Sequence, residues 1–170
     1  MNFQDLESNI NKADIVCIDE TWYTKNQEYL IPEENEIVQC QGIKRAERGK
    51  ASGGILITYN KYIYNKVEIF KIDECFIILK FIITNSVVFV CVVYVNQTSN
   101  FVDKLSNLSD FIQIIKNKYS DAKIIIGGDF NARFREKNVI NADEKINDIN
   151  LGFKRSSYDK NINKRGKELE

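Results

Sequence analysis

Apolar residues recur along the chain with two periods, one typical of amphipathic helices and one typical of strands. Near the N-terminus, apolar residues at helical spacing predict a helix over residues 3–13. The short apolar run 15–18 then predicts a strand, which ends at the polar segment 19–22. Residues 41–53 have no periodicity and mix three glycines with four basic residues, so we expect a basic loop between strands.

From Gly54 onward the pattern is that of strands rich in β-branched and aromatic residues. The predicted strands cover residues 55–57, 62–70, 76–83 and 87–95, with a turn at 84–86. The last two strands are apolar at nearly every position, which indicates that both of their faces are covered by other layers. We therefore predict a layered α/β sandwich, formed by a single domain over residues 1–170.

The clearest helix is predicted after these strands. Its apolar residues are spaced four, three, four, three and four apart: Phe101, Leu105, Leu108, Ile112, Ile115 and Tyr119. This spacing is typical of a stripe that packs on the core and has no role in cofactor binding. The run 122–126 predicts one more strand, which ends at Gly127-Gly128-Asp129-Phe130-Asn131. The polar residues 134–170 are expected to form loops.

The composition of the 170-residue chain narrows the chemistry that it can support. The sequence contains no His, which excludes Ser-His, Cys-His and His-metal arrangements and leaves carboxylates, Tyr, Lys, Arg, amides or a metal. The 24 Lys and Arg residues balance 24 Asp and Glu, so any polyanion would have to be bound by local basic patches. Four cysteines lack metal-ligand spacing and lie in or beside apolar runs, as buried free thiols do: Cys17, Cys40, Cys75 and Cys91.

The sequence offers no membrane-spanning segment. Its first residues hold no basic stretch followed by an apolar one, and its longest apolar run, Val87 to Val95, is half of what a membrane helix needs. We therefore expect a soluble intracellular protein with no membrane partner. The oligomeric state is left open.

Carboxylates directly follow two predicted strands, at Glu20 and Asp129. A side chain there stands at the rim of the sandwich, where a hard cation or a phosphate can reach it, although such acids are also common as solvated loop residues. Asp129 and Asn131 point the same way if the backbone between them is extended, and the same residues suit an Asx turn. An Asp can hold or deprotonate a water, while an Asn amide can bind a phosphate oxygen.

Tyr94 lies near the end of a strand that otherwise has no polar side chains. Its hydroxyl could reach the same rim, or the residue could be a core aromatic with a satisfied hydroxyl. Basic residues gather at 44–50, with Arg48 and Lys50, and again at 154–167, with Arg165. Such groups are usually solvated loops, but as a pair flanking an acidic rim they could hold a polyanionic backbone.

Five short motifs, in this order, resemble those of the endonuclease/exonuclease/phosphatase (DNase I-like) superfamily. They are Ile18-Asp19-Glu20-Thr21-Trp22, Ser52-Gly53-Gly54-Ile55, Val93-Tyr94-Val95, Ile126-Gly127-Gly128-Asp129-Phe130-Asn131-Ala132 and Asn163-Lys164-Arg165-Gly166. They are most similar in character to the apurinic-like endonuclease domain of non-LTR retrotransposons. The resemblance covers residues 15–169 and implies a four-layered α/β sandwich of two packed, mixed or antiparallel sheets.

The resemblance also implies an activity, that of a metal-dependent endonuclease that hydrolyses phosphodiester bonds in DNA. By resemblance, Glu20 holds Mg²⁺, with Mn²⁺ as an alternative, and Asp129 orients or activates the attacking water. Asn131 contacts the phosphate and Tyr94 assists at the scissile group. Few protein ligands are needed for Mg²⁺ because waters fill its remaining positions.

The chain departs from the family pattern at both ends. The N-terminal strand that carries an Asn and the C-terminal Ser-Asp-His segment are missing, so we expect an incomplete domain with weak or no activity. Missing strands would leave uncovered sheet edges or faces next to apolar strands such as 87–95, which predicts poor solubility or partner-dependent folding.

Two alternatives to the endonuclease remain open. One is a non-catalytic remnant that at most binds nucleic acid, and the other is a superfamily phosphatase or an enzyme acting on an RNA tail. Action in the nucleus is expected if the chain derives from a mobile element.

Overall fold

The computed structural model describes residues 13–24, 32–44, 51–64, 66–96, 100–132 and 163–168. The chain divides into two compact units, Met1–Phe130 and Asn131–Glu170. Apart from its last residue, the predicted helix at residues 3–13 falls outside the described residues. The single domain over 1–170 stays a prediction.

Three strands of the first unit form an antiparallel sheet in the order β1-β3-β2. They are β1 (Ile15–Asp19), β2 (Asn35–Cys40) and β3 (Ile55–Asn60). The sequence analysis predicted β1 and the start of β3 but not β2. In β2, Glu36 and Gln39 are exposed, so Ile37 and Val38 form an apolar pair too short to stand out as a strand.

Four more strands form a second sheet in the order β4-β5-β6-β7. They are β4 (Val67–Ile72), β5 (Phe76–Ile83), β6 (Ser86–Tyr94) and β7 (Lys123–Asp129). The predicted turn joins β5 to β6, and Thr84 there has a φ of +55°. β6 and β7 are parallel, and the helix α1 (Phe101–Lys118) connects them.

The two sheets pack face to face through a core of aliphatic and aromatic side chains. From the first sheet it takes Val38 of β2 and Ile55 and Ile57 of β3, and from the second it takes alternate residues of β5 and β6: Ile77, Leu79, Phe81, Val90, Val92 and Tyr94. The remaining residues of β5 and β6 face the opposite side of the sheet, because side chains alternate along a strand. Both strands are therefore buried on both faces, as predicted.

The helix α1 covers the second face of the four-stranded sheet. Phe101, Leu108 and Ile115 of the predicted stripe are buried. Aromatic contacts fasten the helix to the sheet, with the Phe111 ring centroid 5.9 Å from that of Phe76 on β5. The predicted α/β sandwich with two packed sheets is confirmed.

One charged side chain, Lys80 of β5, lies in this helix-facing layer and is 8% exposed. Its Nζ donates a hydrogen bond to Glu68 Oε2 at 3.0 Å and lies 5.0 Å from the centroid of the Tyr119 ring. The hydrogen bond to Glu68 raises the pKa of Lys80, despite the opposing effect of burial. The lysine is thus a paired charge of the core.

Strand β7 is an edge of the sheet within the described residues, and it carries exposed apolar surface. Ile125 and Ile126 are 58% and 43% exposed. Strand β7 pairs with β6, so this exposed apolar edge lies next to residues 87–95, as the sequence analysis expected. Solubility and partner-dependent folding stay predictions.

In the second unit, residues 164–168 form a short helix, α2 (Lys164–Glu168), where the sequence analysis expected only loop. Asn163, directly before it, donates a side-chain hydrogen bond to the Asn131 carbonyl oxygen at 3.0 Å. This hydrogen bond connects the residue before α2 to the first residue of the second unit. Neither of the two described helices is long and apolar enough to cross a membrane.

The four cysteines are free thiols, as expected, but their burial differs. Cys75 and Cys91 are buried and Cys40 is half-buried. Cys17 is exposed, so its predicted burial was wrong. It lies on β1, an edge strand of the three-stranded sheet, where an apolar run does not guarantee full coverage.

Replacing Gly128 with Ala is expected to destabilise the fold by at least about 2 kcal/mol. Gly128 has a φ of +133°, and a Cβ there would lie 2.8 Å from the Val93 carbonyl carbon. At Gly127 an added Cβ meets nothing within 4 Å, so Gly127→Ala should stay within about 0.5 kcal/mol of wild type. Urea unfolding of both variants measures the difference, and equal losses would contradict the close approach of β7 to β6.

Cys91 is expected to resist alkylation in the folded chain. Burial raises the pKa of its thiol to about 12, so at pH 8 its thiolate fraction is about 10³-fold below that of an ordinary cysteine. Mass spectrometry after iodoacetamide treatment should find Cys17, which is exposed and whose thiol pKa is raised less, to about 11, modified before Cys91, and all sites modified together in guanidinium. The same shift lowers the free energy of unfolding as the pH rises from about 9 towards 12, because only the unfolded thiol then loses its proton.

Candidate active site

Three strand ends meet at one rim of the sandwich. In the antiparallel register of β1 and β3, Asp19 at the end of β1 lies opposite Ile55 at the start of β3. In the parallel register of β6 and β7, Tyr94 lies opposite Asp129, so both strands end together. The chain leaves the sheets here, and the side chains at these ends are the ones that a ligand can reach.

A hydrogen bond joins the two sheets at this rim. The Tyr94 hydroxyl donates to Glu20 Oε1 at 2.6 Å. The Tyr94 residue is 5% exposed, and its backbone N–H donates to the Cys75 carbonyl oxygen at 2.8 Å. Tyr94 is therefore both a core aromatic and a rim hydroxyl, so the two interpretations of this residue are compatible.

Glu20 is presented by a backbone turn directly after β1. Glu20 and Trp22 have φ angles of +50° and +54°, which non-glycine residues rarely adopt and which are common at functional sites. Backbone hydrogen bonds hold the turn: the Thr21 N–H donates to the Gly54 carbonyl oxygen at 3.2 Å and the Trp22 N–H to that of Gly53 at 2.9 Å. The turn thus fixes an exposed carboxylate against the other sheet.

Gly54 of the predicted Ser-Gly-Gly-Ile motif supports this turn. Its φ is +94°, and a Cβ there would collide with the Thr21 Oγ1 and lie 3.1 Å from the Gly42 nitrogen. A larger residue would push the turn away from β3. The glycine of this motif therefore allows the backbone before β3 to lie close to the turn that carries Glu20.

The rim carries a third carboxylate that the sequence analysis did not select, Asp19. Burial raises the pKa of Asp19, and the charge of Asp129 raises it further, with a smaller contribution from Glu20. Backbone hydrogen bonds at Asp19 and Asp129 act in the opposite direction. Asp19 could have been found in the sequence from its place beside Glu20 at a strand end.

The sequence analysis selected four other residues for the site: Arg48, Lys50, Asn131 and Arg165. Asn131 belongs to the second unit and has a φ of +52°, so the backbone at Asn131 itself is not extended. That Asp129 and Asn131 point the same way stays a prediction. Arg165 lies in α2 of the second unit and is partly exposed. Arg48 and Lys50 lie outside the described residues.

The architecture is shared with solved structures. The endonuclease domain of TRAS1, a telomere-specific non-LTR retrotransposon, aligns with 78% of this chain at a TM-score of 0.52 and 16% identity. Truncated TDP2 from Caenorhabditis elegans aligns with 77% of it at a TM-score of 0.53 and 18% identity. The chain has a DNase I-like fold. No protein-family model and no curated protein matches the sequence.

This DNase I-like chain spans about half of each of those structures, 53% of the TRAS1 domain and 55% of truncated TDP2. What the likeness shows is the architecture, which the sequence motifs had predicted. Arguments about activity, metal and substrate rest on the residues of the candidate site.

The rim of this DNase I-like fold fits a hydrated divalent cation. In the described ranges, no three Asp, Glu or Cys side chains are grouped closely enough to enclose a metal ion. Mg²⁺ requires less than this, because it keeps several waters and often takes only one or two carboxylates. Glu20 offers such a carboxylate, and the oxygen-only donors of the rim suit a hard cation.

Removing the Tyr94 hydroxyl is expected to weaken the tie between the sheets. Tyr94→Phe should lower the free energy of unfolding by about 1–2 kcal/mol, since the hydroxyl donates to a carboxylate. Tyr62→Phe is the matched control, because Tyr62 is 74% exposed and its loss of a hydroxyl should cost less than about 0.5 kcal/mol. Urea unfolding of both variants tests the difference, and a Tyr94→Phe protein as stable as wild type would contradict it.

Proposed function

We propose that the chain hydrolyses phosphodiester bonds in DNA with the help of a divalent cation. The observation that carries the proposal is the hydrogen bond from the Tyr94 hydroxyl to Glu20 Oε1, made at a rim where Asp19 and Asp129 also lie. The fixed carboxylate of Glu20 and the neighbouring acids supply two things that an attack by water on a phosphate requires, a cation ligand and a proton acceptor, and the tyrosine hydroxyl holds the ligand in place.

The mutual repulsion of the rim carboxylates supports a bound cation. The charge of Asp129 already raises the pKa of Asp19, so negative charge has accumulated at the rim before any substrate arrives. A phosphate approaching these acids would be repelled unless a cation lay between them. In this proposal Glu20 holds Mg²⁺, or Mn²⁺ in its place, and the cation when bound neutralises charge on the phosphate.

Each residue of the chain then has a distinct task. Asp129 orients the attacking water and accepts its proton. Tyr94 holds Glu20 in place through the hydrogen bond that its hydroxyl donates, and in this way assists at the scissile group. Asn131 contacts the phosphate through its side-chain amide. Arg48, Lys50 and Arg165 are proposed to contact the DNA backbone, where a cationic side chain releases counterions.

We propose an endonuclease of the retrotransposon type as the form of this activity. The likeness to the TRAS1 endonuclease domain supports it, together with the five ordered sequence motifs.

Nicking of supercoiled plasmid DNA in Mg²⁺ tests the proposal. Glu20→Gln and Asp129→Asn each remove one carboxylate charge with little change in shape, and each is expected to slow nicking by about 10²–10⁴-fold. The matched controls are Glu36→Gln on β2 and Asp121→Asn before β7, since both residues are exposed. The controls should nick at the wild-type rate, and EDTA should abolish nicking until Mg²⁺ or Mn²⁺ is restored.

Other outcomes of this assay separate the alternatives. A nicking rate unchanged in both Glu20→Gln and Asp129→Asn would remove these residues from the site. DNA binding without nicking would favour a non-catalytic remnant. Hydrolysis of a phosphomonoester such as p-nitrophenyl phosphate, with intact plasmid, would favour a phosphatase.

A further inference from the structure

Tyr94 also lines a pocket to which the rim carboxylates Asp19, Glu20 and Asp129 do not contribute. Three neutral polar side chains line it, Gln41 after β2, Ser52 before β3 and Asn96 after β6. The Asn96 amide donates a hydrogen bond to the Ser52 hydroxyl, so two of the three are joined across the two sheets. The pocket therefore has a defined edge of amide and hydroxyl groups, which can both donate and accept hydrogen bonds.

Part of the pocket lining is apolar. Ile43 lines the pocket and is 44% exposed. A backbone bridge between Ile43 and Ser52 holds it, with hydrogen bonds of 2.9 and 3.0 Å. Gly53 lies against the Tyr94 ring, since a Cβ on Gly53 would lie 3.3 Å from the ring carbon Cε1. A flat group could contact the aliphatic carbon of Ile43 there.

The charge of the pocket argues against a phosphate as its ligand. Of the described residues that line it, only Glu74 is charged. The Lys104 Nζ on α1 lies 2.5 Å from Glu74 Oε1 and 3.9 Å from Asp73 Oδ1, so it already serves two carboxylates. A second phosphate placed here would meet a carboxylate and no lining cation among these residues.

We propose that this pocket binds a nucleobase of the DNA strand whose phosphate lies at the acidic rim. A nucleobase is uncharged, carries donors and acceptors on its edge and has apolar faces, which matches the neutral amides, the hydroxyl and the Ile43 wall. Tyr94 contributes to both the acidic rim and the pocket, because its hydroxyl donates to Glu20 and the residue also lines the pocket. The inference rests on the proposed function, since that function brings a nucleic acid to the rim.

Nuclear magnetic resonance of the full chain, labelled with ¹⁵N, tests the pocket without any hydrolysis. The probes are the four deoxynucleosides, which carry a base and no phosphate, and inorganic phosphate. Titration with at least one deoxynucleoside is expected to shift the side-chain amide signals of Gln41 and Asn96, and titration with phosphate is expected to leave them in place.

Two variants and a matched control sharpen this test. Gln41→Ala and Ser52→Ala each remove one hydrogen-bonding group, and each should weaken nucleoside binding about five-fold. Gln39→Ala removes the same side chain from an exposed position on β2 outside the pocket, and should bind as wild type does. Equal affinity in Gln41→Ala, Ser52→Ala and Gln39→Ala would overturn the proposal.

The nicking assay on the same preparation separates this inference from the proposed function. Nicking without any nucleoside-induced shift, up to the solubility limit, would overturn the pocket and leave the nuclease intact. Nucleoside shifts without nicking would support the pocket and count against hydrolysis. Larger shifts with phosphate than with every nucleoside would overturn the pocket as a base site.

Discussion

Burial of β5 and β6 on both faces is the constraint on which the rest of the structure depends. One face packs on β3 through residues such as Leu79 and Val92, and the other packs under α1 through Phe76 and Phe89. A polar side chain in the middle of these strands has to be paired, as Lys80 is with Glu68. Functional polar groups are therefore confined to the ends of the strands, and Tyr94, the last residue of β6, is one of them.

The mutual repulsion of Asp19, Glu20 and Asp129 at the strand ends is unfavourable by itself, so other interactions have to hold these carboxylates in place. The Tyr94 hydroxyl gives Glu20 a hydrogen bond, and backbone hydrogen bonds at Asp19 and Asp129 favour the charged form of Asp19 against burial and repulsion. The positive φ angle of Glu20 adds local strain. Strain and unfavourable charge in one place are expected where a fold keeps a site ready for a ligand.

The sequence predicts those parts of the fold that depend on long, regular apolar patterns. The stripe from Phe101 to Tyr119 predicted α1, and two uninterrupted apolar runs predicted β5 and β6. Strand β2 was missed because pairing with β3, and not its own pattern, makes it a strand.

The candidate site, like the fold, was predicted only in part from the sequence. Glu20, Tyr94 and Asp129 were found because each stands at or directly after the end of a strand that the pattern reveals. The positive φ of Asn131 was not predicted, since no periodicity reports the backbone angle of a single residue. The Tyr94–Glu20 bond joins residues 74 positions apart, so only the packing of the two sheets could place them together.

The same packing explains why Tyr94 can divide two chemically different regions. Its hydroxyl is committed to Glu20 at the rim, and its backbone N–H is committed to Cys75, which lines the pocket. Gly53 lies against the ring, with no side chain to intervene. Movement of the ring would therefore change the position of Glu20 and the shape of the pocket together.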